Sequence, residues 1–171
     1  MRAYVDRLAA ARIGLTHNQY AASELRRSRL RRYLVSRRHA EVILVGEAAG
    51  YRGARVSGLP FTSERQPTGA GPAEASATIV HRVLHELGVA ADVLLWNVVP
   101  THPGTASSNR RPTRAEIEAG LPFLDELTRG RRRVLAVGRI AADVLDAPYV
   151  RHPSHGGGRA FAEGVRRMLA S

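Results

Sequence analysis

Short apolar runs alternate with longer amphipathic stretches along the chain. Val42-Ile43-Leu44-Val45, Val93-Leu94-Leu95-Trp96-Asn97-Val98-Val99 and Val134-Leu135-Ala136-Val137 are nearly continuous in hydrophobic residues and rich in β-branched ones. That pattern predicts strands buried on both faces, as in a parallel sheet. Between them the spacing becomes helical. Ile79, Val80, Val83, Leu84 and Leu87 predict a helix over 73–87, which Gly88 ends. Thr113 and Glu116 form a capping box before a helix to about Thr128, with Pro122 expected to kink it. A short helix over 139–145, a fourth short strand near Tyr149-Val150-Arg151 and a last helix over 160–170 complete the series. Residues 3 to about 38 read as one long helix, with Leu25, Leu30, Tyr33 and Leu34 on its buried face. Alternating strands and helices imply an α/β protein: a three-layer α/β/α sandwich around a central, mostly parallel four-stranded sheet.

In open α/β sheets, ligands bind where loops leave the carboxyl ends of the strands. Three such ends carry polar or glycine-rich sequence: Gly46–Gly53, Asn97, and His152–Gly158. Glycines at 46, 50, 53 and 58 permit sharp turns and close approach to a ligand. Phe61 follows on a Gly-Leu-Pro turn and either packs on a flat ligand or joins the core. Asn97 either faces a ligand or caps the following turn. Gln66–Pro72 reads as a Pro/Gly linker, and Thr101–Arg111 as a long irregular loop.

Composition narrows the chemistry. The 171 residues suit one domain with a good core. There is no cysteine, which removes disulfides, thiolate zinc sites and iron–sulfur clusters. There is no lysine, so all 26 basic side chains are arginine, against 15 acids. A net charge of +11 and a pI near 11.4 point to a polyanionic partner, most simply nucleic acid. The arginines at 26, 27, 29, 31, 32, 37 and 38 surround their helix, so most are read as solvating its outer face. No apolar run approaches a membrane span, and the first residues carry charge with no signal-like apolar core. We therefore expect a cytoplasmic protein with no membrane partner.

Several sites fail on spacing. Gly46, Gly50 and Gly53 do not form the dinucleotide-binding G-x-G-x-x-G pattern. His152 and His155 lack nearby carboxylates and lie in a Pro- and Gly-rich turn, which disfavours a metal. No G-x-S-x-G nucleophile elbow is present.

Four stretches in order resemble the uracil-DNA glycosylase superfamily. Gly46-Glu47-Ala48-Ala49-Gly50 is similar to its first motif. Gly58-Leu59-Pro60-Phe61 resembles the segment that supplies a ring to stack on uracil. Leu95-Trp96-Asn97 resembles the strand whose Asn reads uracil, and His152-Pro153-Ser154 the last motif. Asn97-Val98-Val99, followed by Asn109-Arg110-Arg111-Pro112-Thr113, looks most like the family 4 branch. The resemblance spans residues 42 to 159 and departs from family 4 at two points. Family 4 carries an iron–sulfur cluster on four cysteines, and this chain has none, so packing has to replace that staple near Thr101. Many superfamily members place Asp or Asn at the third position of the first motif to orient water, where this chain has Ala48.

The resemblance implies a single glycosylase-like domain over 1–171. It implies a monofunctional, cofactor-free and metal-free monomer acting on DNA that contains uracil or abasic sites. Gly46, Ala48, Phe61 and Asn97 would bind the flipped base. His152 would stabilise charge on the leaving uracil. Glu47 would hold water or favour the sugar cation, or else tie loop backbone. Arg110, Arg111, Ser154, His155, Gly156 and Arg159 would meet DNA phosphates. A non-catalytic binder of abasic or damaged DNA is the alternative, which Ala48 favours.

Overall fold

The computed structural model describes residues 1–130 and 133–170. Four strands, β1 (Val42–Ala48), β2 (Val93–Val99), β3 (Arg133–Val137) and β4 (Tyr149–Val150), form one sheet in the order β2-β1-β3-β4. Every neighbouring pair is parallel. Arg131 and Arg132, expected just before the third strand, lie outside the described residues. The helices are α1 (Arg2–Ala10), α2 (Glu24–Ser36), α3 (Ala54–Ser57), α4 (Arg65–Thr68), α5 (Ala75–Glu86), α6 (Arg114–Thr128), α7 (Arg139–Leu145) and α8 (Gly158–Ala170). Among the described residues no helix is long and apolar enough to cross a membrane.

Strand alternation sorts the apolar residues into two cores. Ile43, Val45, Leu94, Trp96 and Val98 pack with Tyr4, Leu8, Leu34, Leu124 and Ala141 of α1, α2, α6 and α7. Leu44, Leu95, Leu135 and Val137 pack with Val80, Leu84, Phe161 and Val165 of α5 and α8. A sheet buried on both faces explains the unbroken apolar runs, and each fully buried side chain contributes about 1.5–3 kcal/mol. Tyr4 is the edge-on centre of the first core, its ring 5.9 Å from Trp96 and 5.8 Å from Phe123. Gly120 lets α6 lie directly on β2, since a Cβ there would strike the Val98 carbonyl.

The N-terminal region departs from the single long helix expected. Gly14 turns the chain at φ +54°. The Asn18 amide then donates to the carbonyls of Leu8 and Ala11, at 2.8 and 3.0 Å, and finishes α1. Ser23 accepts from the Arg26 N–H and opens α2. Helical periodicity runs through both segments, but local side-chain bonds to the backbone outcompete the helix between them. The α2 arginines also do more than solvate. Arg26 donates to the Val56 carbonyl at 2.8 Å, and Arg29 grips Glu64 with both guanidinium nitrogens and reaches Ser57 O. These bonds fix the chain that leads into Phe61. The expected 66–72 linker begins with the single turn of α4, ended by Gly69 at φ +73°.

Candidate active site

The sheet register creates the base of the site. Gly46 of β1 lies opposite Asn97 of β2. Across it comes the edge of the Phe61 ring: a Cβ at 46 would collide with Phe61 and stand 3.0 Å from Asn97 Oδ1. Phe61 adopts φ +50°, a left-handed conformation that costs a non-glycine residue energy and clusters at functional sites. Its turn is held from several sides. Ser57 Oγ donates to Thr62 O at 2.6 Å, Tyr20 OH donates to Gly58 O at 3.2 Å, and His81 of α5 lies 2.9 Å from Thr62 Oγ1. Asn97 is only 4% exposed, yet no described residue hydrogen-bonds its side-chain amide. A buried amide left open in this way has its hydrogen-bonding capacity available to a ligand.

His152 closes the opposite wall. Its ring centroid is 6.5 Å from that of Phe61. The Ser154 N–H donates to His152 Nδ1 at 3.1 Å, so Nδ1 is the acceptor and the proton sits on Nε2. Burial, with Arg151 and His155 adding to it, pushes the imidazole down to about 4. The ring is therefore neutral at pH 7 and presents one N–H donor. Ser154 Oγ lies between the rings, 2.8 Å from His152 Nδ1 and 3.0 Å from His155 Nδ1.

Two carboxylates border the same cavity, which Ala48, Gly50, Phe61 and Asn97 also line. Glu47 ends β1. Burial raises its pKa, with Arg111 pulling the other way. It makes no hydrogen bond to the described residues, so it ties no loop backbone there. The second carboxylate, Glu74, is absent from the sequence expectations. It stands at the N-cap of α5 and reaches over the glycine loop: a Cβ at Gly50 would lie 2.9 Å from both of its oxygens, and one at Gly53 would overlap Oε2. Those glycines and the N-cap slot were the only signal in the sequence, and neither points to the other without the fold.

Past the end of β2, the side chains of Thr101, His102 and Glu116 are engaged by protein partners. His102, with no exposed surface, places its ring nitrogens 2.7 Å from Ala49 O and 2.8 Å from Thr105 O. Its backbone bridges to His17, and Thr101 Oγ1 meets Thr16 Oγ1. Glu116, 2% exposed, completes the expected capping box, accepts from Leu15 N–H, and takes both arms of Arg110 at 2.6 and 2.8 Å. An iron–sulfur cluster does not fit this stretch, because the chain offers no thiolate and Thr101 and His102 are committed to protein partners. This network supplies the staple instead, clamping the N-terminal segment to the loops of the site.

The residues expected on DNA fall into two sets. Arg111 stands free of any ion pair among the described residues and borders a neighbouring pocket, which shares Glu47, Glu74 and His152 with the cavity, and an adjoining groove. Ser154 and His155 line the groove, with His155 at φ +50°. Gly156 is exposed at the turn into α8. Arg110 is instead engaged by Glu116, and Arg159 by Glu163 one turn along α8, at 2.8 Å. The groove adds Arg139 and Arg151, whose side chains the sequence did not mark.

The fold is shared with solved structures. Wild-type SMUG2 of Pedobacter heparinus superposes with a TM-score of 0.72 over 99% of this chain and 98% of that one, at 10% identity, a likeness of architecture. The family is shown by sequence: the model of the uracil DNA glycosylase superfamily matches residues 34–169, and the chain belongs to that superfamily. It is also 35% identical over 107 residues to a type-4 uracil-DNA glycosylase of Pyrobaculum aerophilum. That alignment covers 61% of this chain and 47% of the relative, so the chain spans about half the length of the curated protein it matches.

Proposed function

We propose that this protein is a monofunctional DNA glycosylase that flips uracil out of DNA and hydrolyses its N-glycosidic bond, acting as a cytoplasmic monomer in base excision repair. The observation that carries this reading is the open amide of buried Asn97, set between Gly46, the Phe61 ring and the His152 donor. A flipped base stacks on Phe61. The Asn97 carbonyl accepts from uracil N3–H and its NH2 donates to O4. Cytosine presents the opposite pattern and would leave buried groups unpaired. As the bond to the sugar breaks, charge grows on the uracil oxygens, and the neutral His152 Nε2–H donates to it. Arg111, Arg139 and Arg151 supply positive charge along the groove for the phosphates. With no lysine in the chain, no side-chain amine can form a Schiff base with the sugar.

The test is incubation with oligonucleotides carrying uracil, hypoxanthine or no lesion, followed by alkali. Alkali-dependent scission at uracil alone supports the proposal, and borohydride should trap no adduct. Tight binding to abasic DNA without base release would establish the non-catalytic alternative.

A further inference from the structure

Ala48 leaves the site without a group to hold water at the place where many superfamily members carry one. We propose that Glu74, delivered from the start of α5, holds and deprotonates the attacking water; this assignment rests on the glycosylase reading above. Three observations support it. The loop is built around this side chain, because a Cβ at Gly50 or Gly53 would meet the carboxylate. Its two oxygens differ: Ser76 Oγ donates to Oε1 at 2.8 Å, whereas no described residue hydrogen-bonds Oε2. One oxygen is thus anchored and the other, which faces Gly53, has no protein hydrogen bond, in a side chain that borders the cavity shared by Asn97, Phe61 and His152.

The third observation is the lack of an arginine. In a chain with 26 arginines and 15 acids, Glu24, Glu64, Glu116 and Glu163 are all ion-paired, yet Glu74 has no such pair among the described residues. A cation bonded to it would hold the carboxylate as a weak base. Burial instead raises its pKa, opposed by the Ser76 hydrogen bond and by nearby His102. The other titratable or charged groups around it are Glu47, His152, Arg110 and Arg111. Glu47 differs because it also borders the arginine-lined groove. That position suits stabilising the sugar cation.

In the reaction, the water oxygen bonds to C1′ as the C1′–N1 bond breaks. The electron pair of that bond leaves with uracil as its anion, and the water's proton passes to Glu74. Glu74 then releases the proton to solvent and the uracil anion takes one up. General-base assistance of this kind is worth about 10²–10⁴ in rate.

Single-turnover excision from a uracil-containing strand, followed across pH, tests the assignment. For the parent, the rate should climb with pH through the ionisation of Glu74 and then level. Glu74→Gln should lose about 10²–10⁴-fold and the acidic limb with it, while thermal midpoint and DNA affinity hold. Ser76→Ala removes a bond that favours the ionised form, so its limb should move to higher pH. That shift decides the matter even if Glu74→Gln does not fold. Near-parent rates in Glu74→Gln, or an unmoved limb in Ser76→Ala, would overturn the assignment but leave the glycosylase reading standing. A limb abolished by Glu47→Gln alone would transfer the role to Glu47. A parent that releases no uracil from any strand would remove the glycosylase reading, and this assignment with it.

Discussion

Asn97 and His102 lie five residues apart, at and just beyond the end of β2, and both are buried, but their surroundings are opposite in kind. Around His102, Thr101 and Glu116 the side chains are paired with protein: carbonyls, hydroxyls, backbone N–H groups and the Arg110 fork. Around Asn97 they are not. The Asn97 amide, the Glu47 carboxylate and His152 Nε2 have no partner among the described residues. Burial without pairing costs free energy, so the second region weakens the fold that the first secures. The difference separates a paired scaffold from a region whose polar groups are left open.

The sharpest break in that comparison is Asn97→Ala. On the proposed reading the amide serves a ligand and not the fold, so we expect uracil excision to fall about 10³-fold with the thermal midpoint unchanged or raised. Single-turnover kinetics and a melt measure both, and a destabilised but active variant would make Asn97 part of the scaffold. His152→Ala should lose about 10²-fold while equilibrium binding to uracil DNA is kept.

Arg110→Ala sharpens the other side. It strips Glu116 of its bidentate partner, and we expect a loss of about 2 kcal/mol in urea unfolding, below the 3–5 of a fully buried pair because Arg110 is partly solvated. The sign with pH follows from Glu116, which the Arg110 bonds and its backbone donors hold at about 2 against an ordinary 4.5. Its contribution is complete above pH 4.5 and is lost as pH falls toward 2. The gap between parent and variant should therefore narrow on acidification.

The smallest effect is expected at Arg111→Ala, which should weaken binding to all sequences and flatten the salt slope by about one unit. Arg110→Ala should leave that slope nearly unchanged. Equal flattening in both variants would mean that the Arg110–Glu116 pair opens to bind phosphate.

Much of this was written locally. The apolar runs at 42–45 and 93–99 determined a buried parallel sheet, because strands covered on both faces need continuous hydrophobicity. The Thr113–Glu116 box determined where α6 begins, since its donors and acceptors lie within one turn. The order of Gly46, Phe61, Asn97 and His152 was enough to point to the superfamily. Tertiary structure decided what depends on partners distant in sequence. Arg110 and Arg111 are alike as neighbours in the chain, and only the burial of Glu116 makes one a strut and leaves the other free. The arginines of α2 looked like a solvated face until the end of α3 and Glu64 were folded against them. Glu74 carried no motif, and its carboxylate gained a setting only when the N-cap of α5 packed over two glycines more than twenty positions earlier. Periodicity and capping act over a few residues and survive in a one-dimensional reading, whereas the choice of partner for a charged or polar side chain is made by packing.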